Sequence, residues 1–166
     1  MPKRIVFAAL LVIPLLFSTA SAEGPFDKGR SNVTFQLGAG STFNDDYILL
    51  GLGYGYFLVD GLRLGIQFDL WLNGDPSIYQ VTPEVAYVFH KVPHVKPYVG
   101  AFYRRSYIDG LDDLDALGYR AGAYFTAGGG AYIGFGYAWS EYQDCEETVY
   151  TDCDSSYTEL TFVVAF

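Results

Sequence analysis

From Ser31 to Phe166 the side chains alternate, at a period of two, between large apolar residues and a set made of glycines and polar residues. A period of two belongs to extended chain, whose successive side chains point to opposite faces; a helix would repeat every 3.6 residues. The alternation predicts eight strands, over about residues 31–40, 46–57, 62–72, 77–89, 97–107, 118–127, 130–140 and 157–166. Runs near ~9–11 residues suit strands that cross a bilayer at a tilt. Beyond the N-terminus no stretch reaches the ~18 continuous apolar residues of a membrane helix. Yet 51% of the chain is hydrophobic, so that surface has to lie on the strands.

Sorting the strands by parity separates two faces. One carries Phe35 and Leu37, Leu50 to Tyr56 at every second position, Leu64, Ile66, Phe68, Val85, Tyr119, Phe135 and Trp139, with Arg105 as its single charge. The other carries Thr34, Gln36, Gly51, Gly53, Arg63, Gln67, Asp69, Glu84, Arg104, Arg120, Gly136 and Glu159. Two architectures compete. A soluble, exported, lipocalin-like binding barrel would line its cavity with the apolar face. A membrane barrel would turn that face to lipid. Eight strands leave an interior only just wide enough for side chains, which the apolar face would overfill, and the glycine-rich face makes a poor solvated exterior. The fold class is therefore all-β: an eight-stranded antiparallel up-and-down transmembrane β-barrel. Small inward residues make room for the long ones, and Pro83, which has no N–H for the ladder, predicts a local bulge or irregularity.

The first 22 residues read as an N-terminal signal peptide. Lys3 and Arg4 form a positive start, Ile5 to Phe17 an apolar run, and Ala20-Ser21-Ala22 a cleavage pattern. The competing reading is a buried helix or membrane anchor, for which the run is short. No Cys follows the apolar run, so no lipoprotein anchor is expected. Residues 23–30 form a short N-terminal segment and 31–166 the barrel. The charge balance, ten Lys and Arg against 19 Asp and Glu, excludes a nucleic-acid partner.

The C-terminal run Thr158-Glu159-Leu160-Thr161-Phe162-Val163-Val164-Ala165-Phe166 and the strand opening Lys96-Pro97-Tyr98-Val99-Gly100-Ala101 resemble the small eight-stranded outer-membrane barrels of the OmpA/OmpX type. The resemblance covers essentially the whole chain after the signal peptide. It implies a Gram-negative outer-membrane location, lipid and lipopolysaccharide as surroundings, and a monomer. It also implies that Leu160, Phe162, Val164 and Phe166 form the signal read by the barrel-assembly machinery. The chain stops at the barrel, so no OmpA-like periplasmic domain is expected.

With both termini in the periplasm, the turns near Val59-Asp60-Gly61, His90 to Lys96 and Ala127 to Gly129 are periplasmic. Segments 41–45, 73–76, 108–117 and 141–156 are then extracellular loops. Those loops carry most of the 19 acids and not one Lys or Arg. The plain reading is a solvated, repulsive face. A sharper one is weak divalent-cation binding by Asp109, Asp112, Asp113 and Asp115. Arg105 is expected to snorkel to the interface without a specific partner. Cys145 and Cys153, both in the fourth loop of an exported chain, predict a disulfide.

The lumen receives Arg63, Arg104 and Arg120 against Asp69, Glu84 and Glu159. Folding the hairpins brings Arg63 near Glu84, sets Arg104 opposite Arg120 across the third loop, and puts Asp69 and Glu159 at their height. Unpaired buried charges cost several kcal/mol each, so a neutralised network plugging the lumen is expected; the alternative is a narrow, low-conductance pore. The two histidines, His90 and His94, sit in one periplasmic turn, while Ser77 and Ser106 belong to the opposite rim. No base stands beside a nucleophile, so neither enzymatic activity nor a cofactor is expected. The function read from the sequence is structural, in envelope integrity, or interactive, presenting acidic loops to an extracellular ligand or host surface.

Overall fold

A computed structural model describes residues 24–42, 45–74, 76–143 and 153–166. Residues 1–22, expected to be a signal peptide, and Cys145 lie outside them. Among the described residues, eight strands run β1 (Ser31–Thr42), β2 (Asp45–Val59), β3 (Leu62–Leu72), β4 (Ile78–Val88), β5 (Val95–Ile108), β6 (Leu114–Gly128), β7 (Ala131–Tyr142) and β8 (Asp154–Ala165). Each pairs antiparallel with its neighbour in sequence, and β1 pairs with β8 to close the barrel. The closing seam sets Val33 against Val164, Phe35 against Phe162 and Leu37 against Leu160. Ser31 and Phe166 exchange both of their backbone hydrogen bonds, at 3.0 and 2.9 Å.

Phe35, Leu52, Leu64, Phe68, Val85 and Phe135 are exposed, while Gln36, Gln67, Asp69, Thr82, Arg104 and Glu159 are almost fully buried. That distribution is inverted relative to a soluble protein, and it overturns the soluble-barrel alternative. The apolar belt ends in exposed aromatic residues: Tyr54, Tyr56, Tyr87 and Phe89 toward the termini, and Tyr79, Tyr107, Tyr119 and Trp139 toward the other rim. Such girdles mark the two interfaces of an outer-membrane barrel.

Pro83 faces outward. The β4–β5 ladder lapses at Thr82 and Pro83, yet Val81↔Arg105 and Glu84↔Phe102 share one register, so this is an interruption without a bulge. The register shifts fall instead beside the turns, at Phe57/Val59 and Thr126/Gly128. The third loop is shorter than the sequence reading gives: β6 starts at Leu114, so 114–117 belong to strand.

The inner face alternates small against large across neighbouring strands. A Cβ on Gly118 would come 2.4 Å from the Phe102 ring, and one on Gly134 would come 2.6 Å from Tyr124. At Gly122 the obstacle is backbone, with the Phe135 carbonyl oxygen at 2.4 Å and Gly136 Cα at 2.7 Å, whereas at Gly53 the nearest atom is 3.4 Å away. Neither position has a positive φ, so space alone separates them. Gly122→Ala is expected to cost about 1–3 kcal/mol from overpacking, and Gly53→Ala to change stability by less. Urea unfolding in detergent micelles, followed by tryptophan fluorescence, checks the difference.

Candidate functional site: the charged lumen

The interior is layered. Toward the loop end, Tyr47, Leu49, Trp71, Ile78, Phe102, Ile108, Leu114 and Tyr157 form one buried cluster. At the termini end, Phe26, Phe57, Val88, Tyr98, Tyr124, Tyr132 and Val163 form another. Between them lies the polar layer. Parity puts these aromatics on the same face as the polar set: Tyr98, Phe102 and Arg104 share one side of β5, and Arg120 and Tyr124 one side of β6.

All six charged residues of the sequence reading are buried. Four of them form a chain. Arg63 pairs with Glu84, whose second oxygen lies 3.4 Å from Arg120 Nη1, and that nitrogen lies 3.6 Å from Glu159 Oε2. Arg63 and Glu84 meet diagonally, since the register sets Gly65 opposite Glu84 and Ala86 opposite Arg63. Glu159 also accepts the Tyr98 hydroxyl at 2.9 Å. Arg120 Nη1 reaches Gln67 Oε1 at 3.2 Å, and Gln67 Nε2 donates to Gln36 and Asp69 at 2.9 and 2.7 Å.

Arg104 and Asp69 are not in the ion chain. Arg104 donates to the Tyr157 hydroxyl at 2.5 Å and to Thr82 Oγ1 at 3.3 Å. It does not face Arg120: the register sets Arg104 against Ala116 and Arg120 against Gly100. The two cations are separated along the barrel, and Phe102 serves both, its ring centroid lying 4.6 Å from the Arg104 guanidinium carbon and 5.0 Å from that of Arg120. This corrects the expected head-on pair. The shorter loop slides β6 along β5 by an even number of residues, which changes height but keeps facing. Asp69 takes its hydrogen bond from an amide, and its Oδ2 has no hydrogen-bond partner among the described residues.

Outside, Arg105 has specific partners, contrary to the sequence reading. Asp113 and Asp115 lie 3.2 and 3.3 Å from its guanidinium, Asp115 being its cross-strand neighbour. These two acids are spent on Arg105, and Asp109, Asp112, Asp113 and Asp115 do not gather into a metal-sized group. Phe162, Val164 and Phe166 of the C-terminal run are exposed to the outside, and Leu160 is half-buried. Cys153 is not a free thiol. His90 lies in the β4–β5 turn at the termini end, while Ser106 is inside the barrel near the other end, accepting Gln80 Nε2 at 3.0 Å.

Phe26 escaped the sequence reading. It is 1% exposed and packs into the cluster at the termini end, its ring 4.7 Å from Tyr132 and 5.7 Å from Phe57. The only signal was one large apolar residue, between Pro25 and Asp27, ahead of the alternating region.

No protein-family model matches the sequence, and no curated protein does. Solved structures match over most of the chain. The N-terminal β-barrel domain of Pseudomonas aeruginosa OprF superposes with a TM-score of 0.68 at 14% identity, over 84% of this chain and 98% of that one. The fold is that of a small outer-membrane barrel. Neisserial surface protein A gives 0.61 at 17% identity, over 82% of this chain and 96% of that one. A de novo designed transmembrane β-barrel gives 0.60 at 14%, over 84% and 98%. These matches support the general class rather than OmpA or OmpX in particular, and identities this low carry architecture alone.

Removing one partner of a buried pair strands the other charge, at a cost of about 3–5 kcal/mol. Glu84→Ala, which strands Arg63 and leaves Arg120 with Glu159 as its remaining carboxylate, is expected to destabilise the barrel by that order. The double variant Arg63→Ala/Glu84→Ala should lose less than the sum of the two single variants, as read from urea midpoints in lipid vesicles.

Proposed function

We propose that this protein is a non-enzymatic, monomeric outer-membrane barrel whose lumen is a structural plug, and that it serves the envelope by its presence and by the acidic loops it displays. The observation that carries the reading is the Arg63–Glu84–Arg120–Glu159 chain lying between two aromatic layers. A charged network in a narrow interior holds its geometry when every member has a partner nearby, and the aromatic layers close the path at both ends. Exposed Asp109, Asp112 and Glu141 at the loop rim support an acidic surface that stays solvated and meets extracellular ligands or host surfaces. A Cys145–Cys153 disulfide would restrain the fourth loop by limiting its open conformations. Assembly through the C-terminal Phe162, Val164 and Phe166 by the barrel-assembly machinery belongs to the same reading.

A narrow pore is the second reading, and one observation favours it. Asn32 Oδ1, Thr34 Oγ1, Gln36 Nε2, Asp69 Oδ2 and Arg104 Nη1 are buried without a hydrogen-bond partner among the described residues, and buried polar atoms of that kind commonly hold water. A water-filled path along the lumen would satisfy them. Planar-bilayer recording of the purified barrel separates the two readings. The plug reading expects flat current traces, and discrete, reproducible openings would establish the pore.

A further inference from the structure

Away from the lumen, three chain segments bring metal-ligating side chains together at the termini end. Asp27 comes from the N-terminal segment, Asp60 from the β2–β3 turn and His90 from the β4–β5 turn, with one ligand atom of each within 4.8 Å of the others. Among the described residues this is the one such group of three or more His, Cys, Asp or Glu.

The surroundings hold these side chains in place. Asp60 Oδ1 accepts the Lys28 N–H at 3.0 Å, and Asp27 Oδ2 accepts the Gly24 N–H. Each carboxylate thus spends one oxygen on backbone and keeps the other for a ligand. On the imidazole, Nδ1 is buried and has no hydrogen-bond partner among the described residues. That nitrogen lies close to the β2–β3 turn, where a Cβ on Gly61 would sit 2.9 Å from it and 2.5 Å from the Val88 carbonyl oxygen. Gly61 has φ +79°, so the turn needs glycine for its backbone as well as for this close approach. Lys96, at the start of β5, is engaged on the turn's backbone: its Nζ donates to the carbonyls of His90 and Val92.

We propose that Asp27, Asp60 and His90 form a binding site for a divalent transition-metal ion of the Zn²⁺ class. Donor atoms about 2.0–2.2 Å from one ion sit at most ~4.4 Å apart, so small movements of these rim side chains complete the shell, and water supplies the remaining ligands. Two carboxylates balance the charge of the ion. The imidazole selects Zn²⁺ over Ca²⁺ and Mg²⁺, which prefer all-oxygen shells. Bound there, the ion fastens the N-terminal segment, and with it Phe26, across the mouth of the barrel.

Isothermal titration of ZnCl₂ into the untagged protein, purified folded in detergent with its cysteines oxidised, tests this. The expected result is one saturable site per chain. His90→Ala and Asp60→Asn should each weaken binding about tenfold or more. Asp60→Asn retains an acceptor for the Lys28 N–H, so its loss of binding is not a loss of the turn. His94→Asn removes the other imidazole, keeps a residue type tolerant of the φ of 63° there, and should bind as the parent does. Absence of saturable Zn²⁺ uptake, or equal affinity in His90→Ala and the parent, would overturn the site. Equal affinity for Ca²⁺ and Zn²⁺ would overturn its assignment to an imidazole-selected ion.

Discussion

Hydrocarbon offers no water to an unpaired N–H or C=O, so a sheet placed in a bilayer has to pair every strand on both sides. Closure of β1 on β8 satisfies that requirement here, and the other features follow from it. Both termini must end on the same rim, where Ser31 and Phe166 hold each other. Every strand acquires a lipid side and a lumen side, so its side chains must alternate. Pro83 is the informative exception: it keeps its place in the β3–β4 ladder opposite Ile66 and interrupts only the β4–β5 side. The sheet keeps its register across the gap.

Closure with eight strands also fixes how much the interior can hold. Polar residues needed there to leave the outside apolar compete for space with one another, and glycine on the facing strand is what admits them. Gly51 yields to Asp69, Gly55 to Arg63 and Gly136 to the Tyr98 hydroxyl. The charge chain and the glycines are therefore two sides of one packing solution. The aromatic clusters lie toward each end and meet the charges directly, Phe102 and Tyr157 at Arg104 and Tyr98 at Glu159.

Facing was legible in the sequence because it depends only on parity, which survives any even error in strand alignment. Height was not. Arg63 and Glu84 could be paired because the β3–β4 loop is short and leaves little room for a misplaced centre. Arg104 and Arg120 could not, because the third loop was read through to residue 117 while Leu114 and Ala116 already face the lumen in β6. The same misjudged boundary hid Asp115 as the cross-strand partner of Arg105. Phe26 and the Asp27–Asp60–His90 group were invisible for another reason: they join segments far apart in sequence, outside any periodic run, and only the turns' three-dimensional arrangement brings them together.

The two tryptophans test the central assignment directly, since Trp71 is 2% exposed inside the barrel and Trp139 is 39% exposed on the outer face. Fluorescence quenching by phospholipids brominated on their acyl chains reads contact with lipid, one tryptophan at a time, in the variants Trp71→Phe and Trp139→Phe. The account expects strong quenching when Trp139 alone remains and weak quenching when Trp71 alone remains. Equal quenching of the two, or the reverse order, would contradict it.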